Sequence, residues 1–182
     1  MYTELPEFAR EFDIENSRGT GSGWIFADST LTITEDGDIR IYGTGASTAN
    51  KIVVSTGVTA NIVLDNVNIN VSGTSNACAL DIQGTAVANV DLAAGSENTL
   101  RSGEYMAGLQ VADGAVVNIG TVVSGSGTLN AYGGSYAAGI GGGYSLSGGE
   151  IVINDGNINA TGGYGGGSGI GSGILDGDGC DI

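Results

Sequence analysis

Apolar and polar residues alternate along most of the chain with a period of two. Leu31-Thr32-Ile33 and Ile39-Arg40-Ile41 are clear cases. Side chains on a strand point alternately to its two faces, so this pattern predicts β-strands with one buried face. No stretch carries the 3.6-residue stripe of an amphipathic helix. Turn residues, chiefly Gly, Ser and Asn, separate the runs.

The runs repeat. The triplets Cys78-Ala79-Leu80, Ala107-Gly108-Leu109, Ala138-Gly139-Ile140 and Ser168-Gly169-Ile170 place an aliphatic residue at spacings of 29, 31 and 30. Val53 lies 27 residues before Leu80 and extends the series backwards. A second register holds Asn61-Ile62-Val63-Leu64, Asn89-Val90-Asp91-Leu92 and Asn118-Ile119-Gly120-Thr121, with Glu150-Ile151-Val152-Ile153 taking it in the next unit. A third holds Val67-Asn68-Ile69, Thr99-Leu100, Thr128-Leu129 and Asn157-Ile158. A unit of this size cannot bury its apolar face alone and must stack on its neighbours. The expected fold is all-β: a parallel β-helix (solenoid) of about five coils of 22–31 residues. Its right hand is expected from the general crossover preference.

Residues 1–28 differ from the repeats and are expected to cap the N-terminal end, with the β-helix occupying 29–182. All three phenylalanines, Phe8, Phe12 and Phe26, lie here with Trp24 and Tyr2. Two local readings stand. Pro6 with Glu4 and Glu7 suits a helix start that places Phe8 and Phe12 on one face. Phe12-Asp13-Ile14 suits a strand. Trp24 likewise reads either as part of the cap or as an aromatic binding residue. At the other end Gly169-Ile170 opens a coil that is not completed, so the repeats are expected to be cut within the array of a longer protein. That end is expected to support end-to-end self-association through unpaired strand edges.

Composition narrows the function. There are 20 acidic residues against 5 basic ones, a net charge of −15. Phosphate binding needs clustered Lys and Arg, so nucleic acid is disfavoured as a partner. No apolar run approaches the roughly 18 residues of a membrane helix, so no insertion is expected. Residues 1–30 show no basic start followed by an apolar core, the pattern of a secretion signal. The chain has no histidine, which removes imidazole bases, triads and histidine–zinc sites. Cys78 and Cys180 lie about three coils apart, roughly 14 Å at a rise of ~4.8 Å, beyond bridging distance.

A glycosidase needs two carboxylates about 5–9.5 Å apart across one cleft. Asp65, Asp81, Asp91, Asp113 and Asp155 fall on repeated strands or turns, but none forms a close acidic pair in sequence. The expectation is that the chain is not an enzyme. Asn61, Asn89 and Asn118 should form an amide ladder, a structural feature. Asp176, Asp178 and Asp181 alternate with small residues in a manner that suits calcium, with a solvated acidic terminus as the plain alternative. No other cofactor is expected.

Tyr105 and Tyr136 both stand three residues before the recurrent glycine and should fall in adjacent coils. Tyr164 is near the same place, and Tyr132 and Tyr144 flank the turns. Such a row, beside the Gly141–Gly143 and Gly165–Gly167 tracts, is a candidate platform for sugar rings. The competing reading is a structural stack that shields the turn.

Residues 23–173 resemble the Gly-rich β-helical modules of large surface proteins of anaerobic Gram-positive bacteria, the carbohydrate-binding-domain or adhesin-like proteins. The resemblance rests on Gly23-Trp24-Ile25, Leu31-Thr32-Ile33-Thr34, Ala79-Leu80-Asp81-Ile82, Asn98-Thr99-Leu100, Ala107-Gly108-Leu109-Gln110-Val111 and Ala138-Gly139-Ile140-Gly141-Gly142-Gly143. It implies a secreted or cell-surface, non-enzymatic module that adheres to a glycan or a host or cell-wall polysaccharide. A polysaccharide lyase or glycoside hydrolase of β-helix type, or a structural stalk, are the alternatives.

Overall fold

A computed structural model describes residues 9–174. Every regular element among them is a strand. Strands β1 (Glu11–Asp13), β2 (Arg18–Thr20) and β3 (Trp24–Ala27) precede the repeats. The first coil contains β4 (Thr30–Ile33) and β5 (Gly37–Tyr42), with a single bridge at Thr48 in place of a third strand. The second contains β6 (Lys51–Val54), β7 (Thr59–Asp65) and β8 (Asn68–Asn70). The third contains β9 (Leu80–Ile82), β10 (Val87–Leu92) and β11 (Glu97–Arg101). The fourth contains β12 (Leu109–Val111), β13 (Val116–Thr121) and β14 (Thr128–Tyr132). The fifth contains β15 (Ile140–Gly141), β16 (Glu150–Ile153) and β17 (Asn157–Thr161), and β18 (Ile170–Gly171) opens a sixth.

Corresponding strands of successive coils pair in parallel and build three sheets. Sheet 1 runs β18-β15-β12-β9-β6-β4-β3, sheet 2 runs β16-β13-β10-β7-β5-β1-β2, and sheet 3 runs β17-β14-β11-β8. The molecule is thus a β-solenoid, as the repeat spacing predicts, of about six turns where about five coils are expected. Asp36-Gly37 forms a corner between sheets 1 and 2, since β4 and β5 lie in different sheets.

The core is a set of aliphatic columns. Leu31, Ile52, Leu80, Leu109, Ile140 and Ile170 pair in succession down sheet 1, and the first five are fully buried. Each contributes on the order of 2 kcal/mol through burial. The column passes through Ile52, not Val53. Val53 pairs with Asp81 on the outer face, because a one-residue slip exchanges the two faces of a strand. In sheet 2 the Asn61, Asn89 and Asn118 register is as aligned, but the fifth coil is shifted by two residues. Asn118 pairs with Val152, and Glu150 pairs with Val116. In sheet 3, Thr99 and Leu100 pair with Asn130 and Ala131, not with Thr128 and Leu129.

At the N-terminal end, Phe12 is on strand β1, so the helical reading of that segment does not hold there; Phe8 lies outside the described residues. The fully buried Phe12 ring meets Trp24 edge-on at 5.0 Å and Phe26 at 5.2 Å. Trp24 and Phe26 pack on the core. Strand β3 folds back on β4 through Asp28 and Ser29, both at positive φ (48° and 56°), the geometry of a tight two-residue hairpin.

The expected amide ladder is present. Asn118 donates to Asn89 at 2.8 Å, Asn89 to Asn61 at 2.7 Å, and Asn61 to Asp38 at 2.7 Å. Cys78 is a buried free thiol beside Ala107, and burial pushes its pKa up to about 12.

Candidate functional site

The tyrosines lie at the corner where sheet 3 passes into sheet 1. One turn recurs there in four coils. The N–H of Asn76 donates to the Glu104 carbonyl at 3.0 Å, that of Tyr105 to Ser135 at 3.2 Å, and that of Tyr136 to Tyr164 at 2.8 Å. Asn76, Tyr105, Tyr136 and Gly165 therefore form one column, with φ of 58°, 73°, 68° and 98°. Glycine and asparagine tolerate this left-handed region and other residues pay a steric penalty in it. Beside the column, Gly103, Gly134 and Gly163 approach so closely that a Cβ on Gly163 would strike the Gly134 carbonyl, and one on Gly134 the Gly103 carbonyl.

This stacking aligns the rings. Tyr105 and Tyr136 have centroids 6.2 Å apart and planes within 10°. Tyr144 joins them at 5.3 Å from Tyr105 and 5.5 Å from Tyr136, tilted by 46° and 56°. It comes from the segment that follows β15. Leu109 and Val116 are seven residues apart, whereas their partners Ile140 and Glu150 are ten apart. The extra residues fold the chain back over sheet 1, where the Tyr144 N–H donates to the Tyr105 carbonyl at 2.8 Å. Gly143 permits this approach: a Cβ there would lie 2.7 Å from that carbonyl oxygen and 2.8 Å from Gln110 Oε1. The next coil repeats the move, with the Ile174 N–H donating to Tyr136 at 2.9 Å.

Asn76, Tyr105, Met106, Tyr136, Tyr144 and Leu146 line an open depression of about 500 Å³. Leu146, 50% exposed, separates it from a groove of about 230 Å³ that includes Gln110, Asp113, Gly142 and Gly143. Glu104, partly buried, accepts a hydrogen bond from Ser75 at 3.3 Å. Its carboxylate raises the pKa of the neighbouring Tyr105 phenol.

Of the four tyrosines expected from sequence to bind sugar, Tyr105 and Tyr136 come together. Tyr164 falls one residue before the column. Gly165 occupies the place itself and packs against the Tyr136 ring, while Tyr164 is 88% exposed and joins none of the ring contacts. Tyr132 stands apart on β14, where the Arg101 guanidinium lies 3.9 Å over its ring. Tyr144 completes the cluster, and its sequence signal is the longer spacing in the fifth unit. The two glycine tracts belong to different places: Gly141 pairs with Gly171 in sheet 1, and Gly165 lies in the tyrosine column.

The carboxylates weighed for acid–base chemistry fall in several places, with Asp65 and Asp91 on neighbouring strands of sheet 2. Asp65 is held by Arg40 at 2.6 Å. Asp81, on the outer face of sheet 1, and Asp91, on β10 in sheet 2, are both raised in pKa by burial. Asp155 is engaged by Thr121, Gly125 and Gly156. Asp176, Asp178 and Asp181 lie outside the described residues. Among the described residues, no group of three or more His, Cys, Asp or Glu side chains is arranged to hold a metal ion, and no helix is long and apolar enough to cross a membrane.

Fold and site together define a β-solenoid module with an exposed aromatic corner. The family model of carbohydrate-binding domain-containing proteins matches residues 27–171, and the chain belongs to that family. No curated protein and no solved structure matches it.

Proposed function

We propose that the chain is a non-enzymatic carbohydrate-binding module of a cell-surface adhesin, and that its glycan lies across Tyr105, Tyr136 and Tyr144. The family supports carbohydrate binding and suggests a non-catalytic module. The observation that carries the choice of site is the near-parallel Tyr105–Tyr136 pair at an open corner. Aromatic faces offer rigid apolar area to the C–H faces of a sugar, and phenolic oxygens hydrogen-bond its hydroxyls. The depression is open to solvent, which suits a chain lying across the coils more than a small enclosed substrate.

A glycan array followed by titration calorimetry tests the reading. Binding without turnover, weakened by loss of the Tyr105 or Tyr136 ring, is the expected result. Turnover of the bound polysaccharide would replace the module with a β-helical hydrolase or lyase. Absence of binding to any glycan would leave a structural stalk.

A further inference from the structure

The charges around the tyrosine corner narrow the kind of sugar. The chain's five basic residues are Arg10, Arg18, Arg40, Lys51 and Arg101, and from Ser102 to Ile182 there is no Lys, Arg or His. The base nearest the corner in sequence, Arg101, is engaged over Tyr132 on sheet 3. Apart from Arg101, the coils that carry the rings present carboxylates without bases. Glu104 adjoins Tyr105 in the chain, and Asp113 lines the groove on the far side of Leu146.

A uronic-acid polymer placed here would meet Glu104 and Asp113, and the one base of these coils, Arg101, is engaged over Tyr132. A neutral sugar would stack on the rings and donate its hydroxyls to the carboxylates, leaving their charge unpaired. An ammonium group uses both: aromatic faces attract cations through their quadrupole, and the attraction adds to that of a carboxylate at the same site. Glu104 meets the Tyr105 phenol at one side of the ring cluster and Asp113 lines the groove beyond Leu146, an arrangement suited to a ligand whose positive charge recurs along its length.

Building on the reading of this corner as a glycan site, we propose that its ligand is a polymer or oligosaccharide of a hexosamine with free, protonated amino groups. The ring faces hold the sugar and Glu104 holds the ammonium.

Calorimetry on the full chain with four hexamers tests this: glucosamine, N-acetylglucosamine, cellohexaose and galacturonate. The glucosamine hexamer should bind at least about tenfold tighter than its acetylated form. That ratio should shrink to within about threefold in E104Q, whose fold is checked by thermal melting, and should fall at about 0.5 M salt, where the Debye length is only about 4 Å. The galacturonate hexamer should not bind. Equal or tighter binding of the acetylated or neutral hexamer would overturn the inference and leave the glycan site standing. Glucosamine binding that survives Tyr136→Gly unchanged would also overturn it, since the acidic surface at large would then be the attractant. If none of the four binds while the array finds another glycan, the inference alone fails; if the array is also blank, the glycan reading fails with it.

Discussion

Tyr105 and Tyr136 stack in adjacent coils, 6.2 Å between ring centroids, and both hold their backbone in the left-handed region at φ 73° and 68°. The flanking coils fill the same place with Asn76 and Gly165, the residue types that accept this conformation readily. The turn therefore does not require tyrosine. Each tyrosine carries a backbone penalty of about 1–2 kcal/mol, which points to a role for the ring itself.

The penalty makes glycine the informative replacement. Tyr105→Gly and Tyr136→Gly each relieve the strained backbone while removing a ring. Their unfolding free energies should stay within about 1 kcal/mol of the parent, and glycan affinity should fall by on the order of 1–2 kcal/mol. The alanine variants keep the strain and should be less stable than the glycine ones. Tyr164→Ala should affect binding least, since that ring lies outside the cluster. Denaturant melts paired with calorimetry separate these outcomes, and a glycine variant that binds normally would return the rings to the scaffold.

The close glycine column beside the tyrosines should be intolerant of any side chain. In Gly134→Ala the new methyl would press on the Gly103 carbonyl and lie 2.8 Å from the Glu104 Cα, both backbone atoms that cannot swing away. A loss of about 2–4 kcal/mol is expected, read as a fall in Tm of roughly 5–15 °C for a domain of this size. Gly73→Ala is the control: no atom lies within 4 Å of its added carbon and its φ is not positive. Its Tm should hold or rise slightly.

The parts of this architecture legible in sequence were those where side-chain chemistry follows the coil period. The triplets ending in Leu80, Leu109, Ile140 and Ile170 aligned sheet 1 because small residues at the corner and an aliphatic residue on the strand recur together. Register failed where that chemistry breaks. Asn98 lies in the interior column beside Val67 and Leu129, a polar residue where the pattern calls for an apolar one, so the alignment of the third run moved by two. Tyr144 was hard to place because its contacts arise from a chain reversal that no local pattern encodes. Tyr164 looks equivalent to Tyr136 in sequence, but Tyr132 pairs with Thr161, and the fourth residue beyond each is Tyr136 in one coil and Gly165 in the next.

Asn98 should be indispensable despite its apolar neighbours. Its Oδ1 accepts the Val67 N–H at 3.0 Å, and its Nδ2 donates to Ser96 Oγ at 2.9 Å and the Thr128 carbonyl at 3.3 Å. Asn98→Leu gives the column an aliphatic residue but strands a buried N–H. We expect a net loss of about 1–3 kcal/mol by urea unfolding. A variant as stable as the parent would show that the interior satisfies Val67 by other means.

The acid limb of the stability profile should depend on Asp155. Its Oδ2 accepts from the Thr121 hydroxyl at 2.8 Å and the Gly125 N–H at 2.9 Å, and its Oδ1 from the Gly156 N–H at 2.8 Å, tying one coil's turn to the next. These donors favour the ionised carboxylate and lower its pKa to about 2. An unfolded aspartate titrates near 3.9, roughly the model-peptide value. Between those two values the unfolded chain binds the proton more readily than the folded one. The stabilisation is therefore fully present above about pH 5 and drains away as pH falls through 3.9 toward 2. Asp155→Asn removes the titrating group and supplies a donor where two donors already point. At pH 7 its Tm should lie below that of the parent, and the gap should narrow steadily from pH 5 to pH 2. A gap that stays constant to pH 2 would mean that the side chain acts by shape and hydrogen-bond count alone, with no share from its charge.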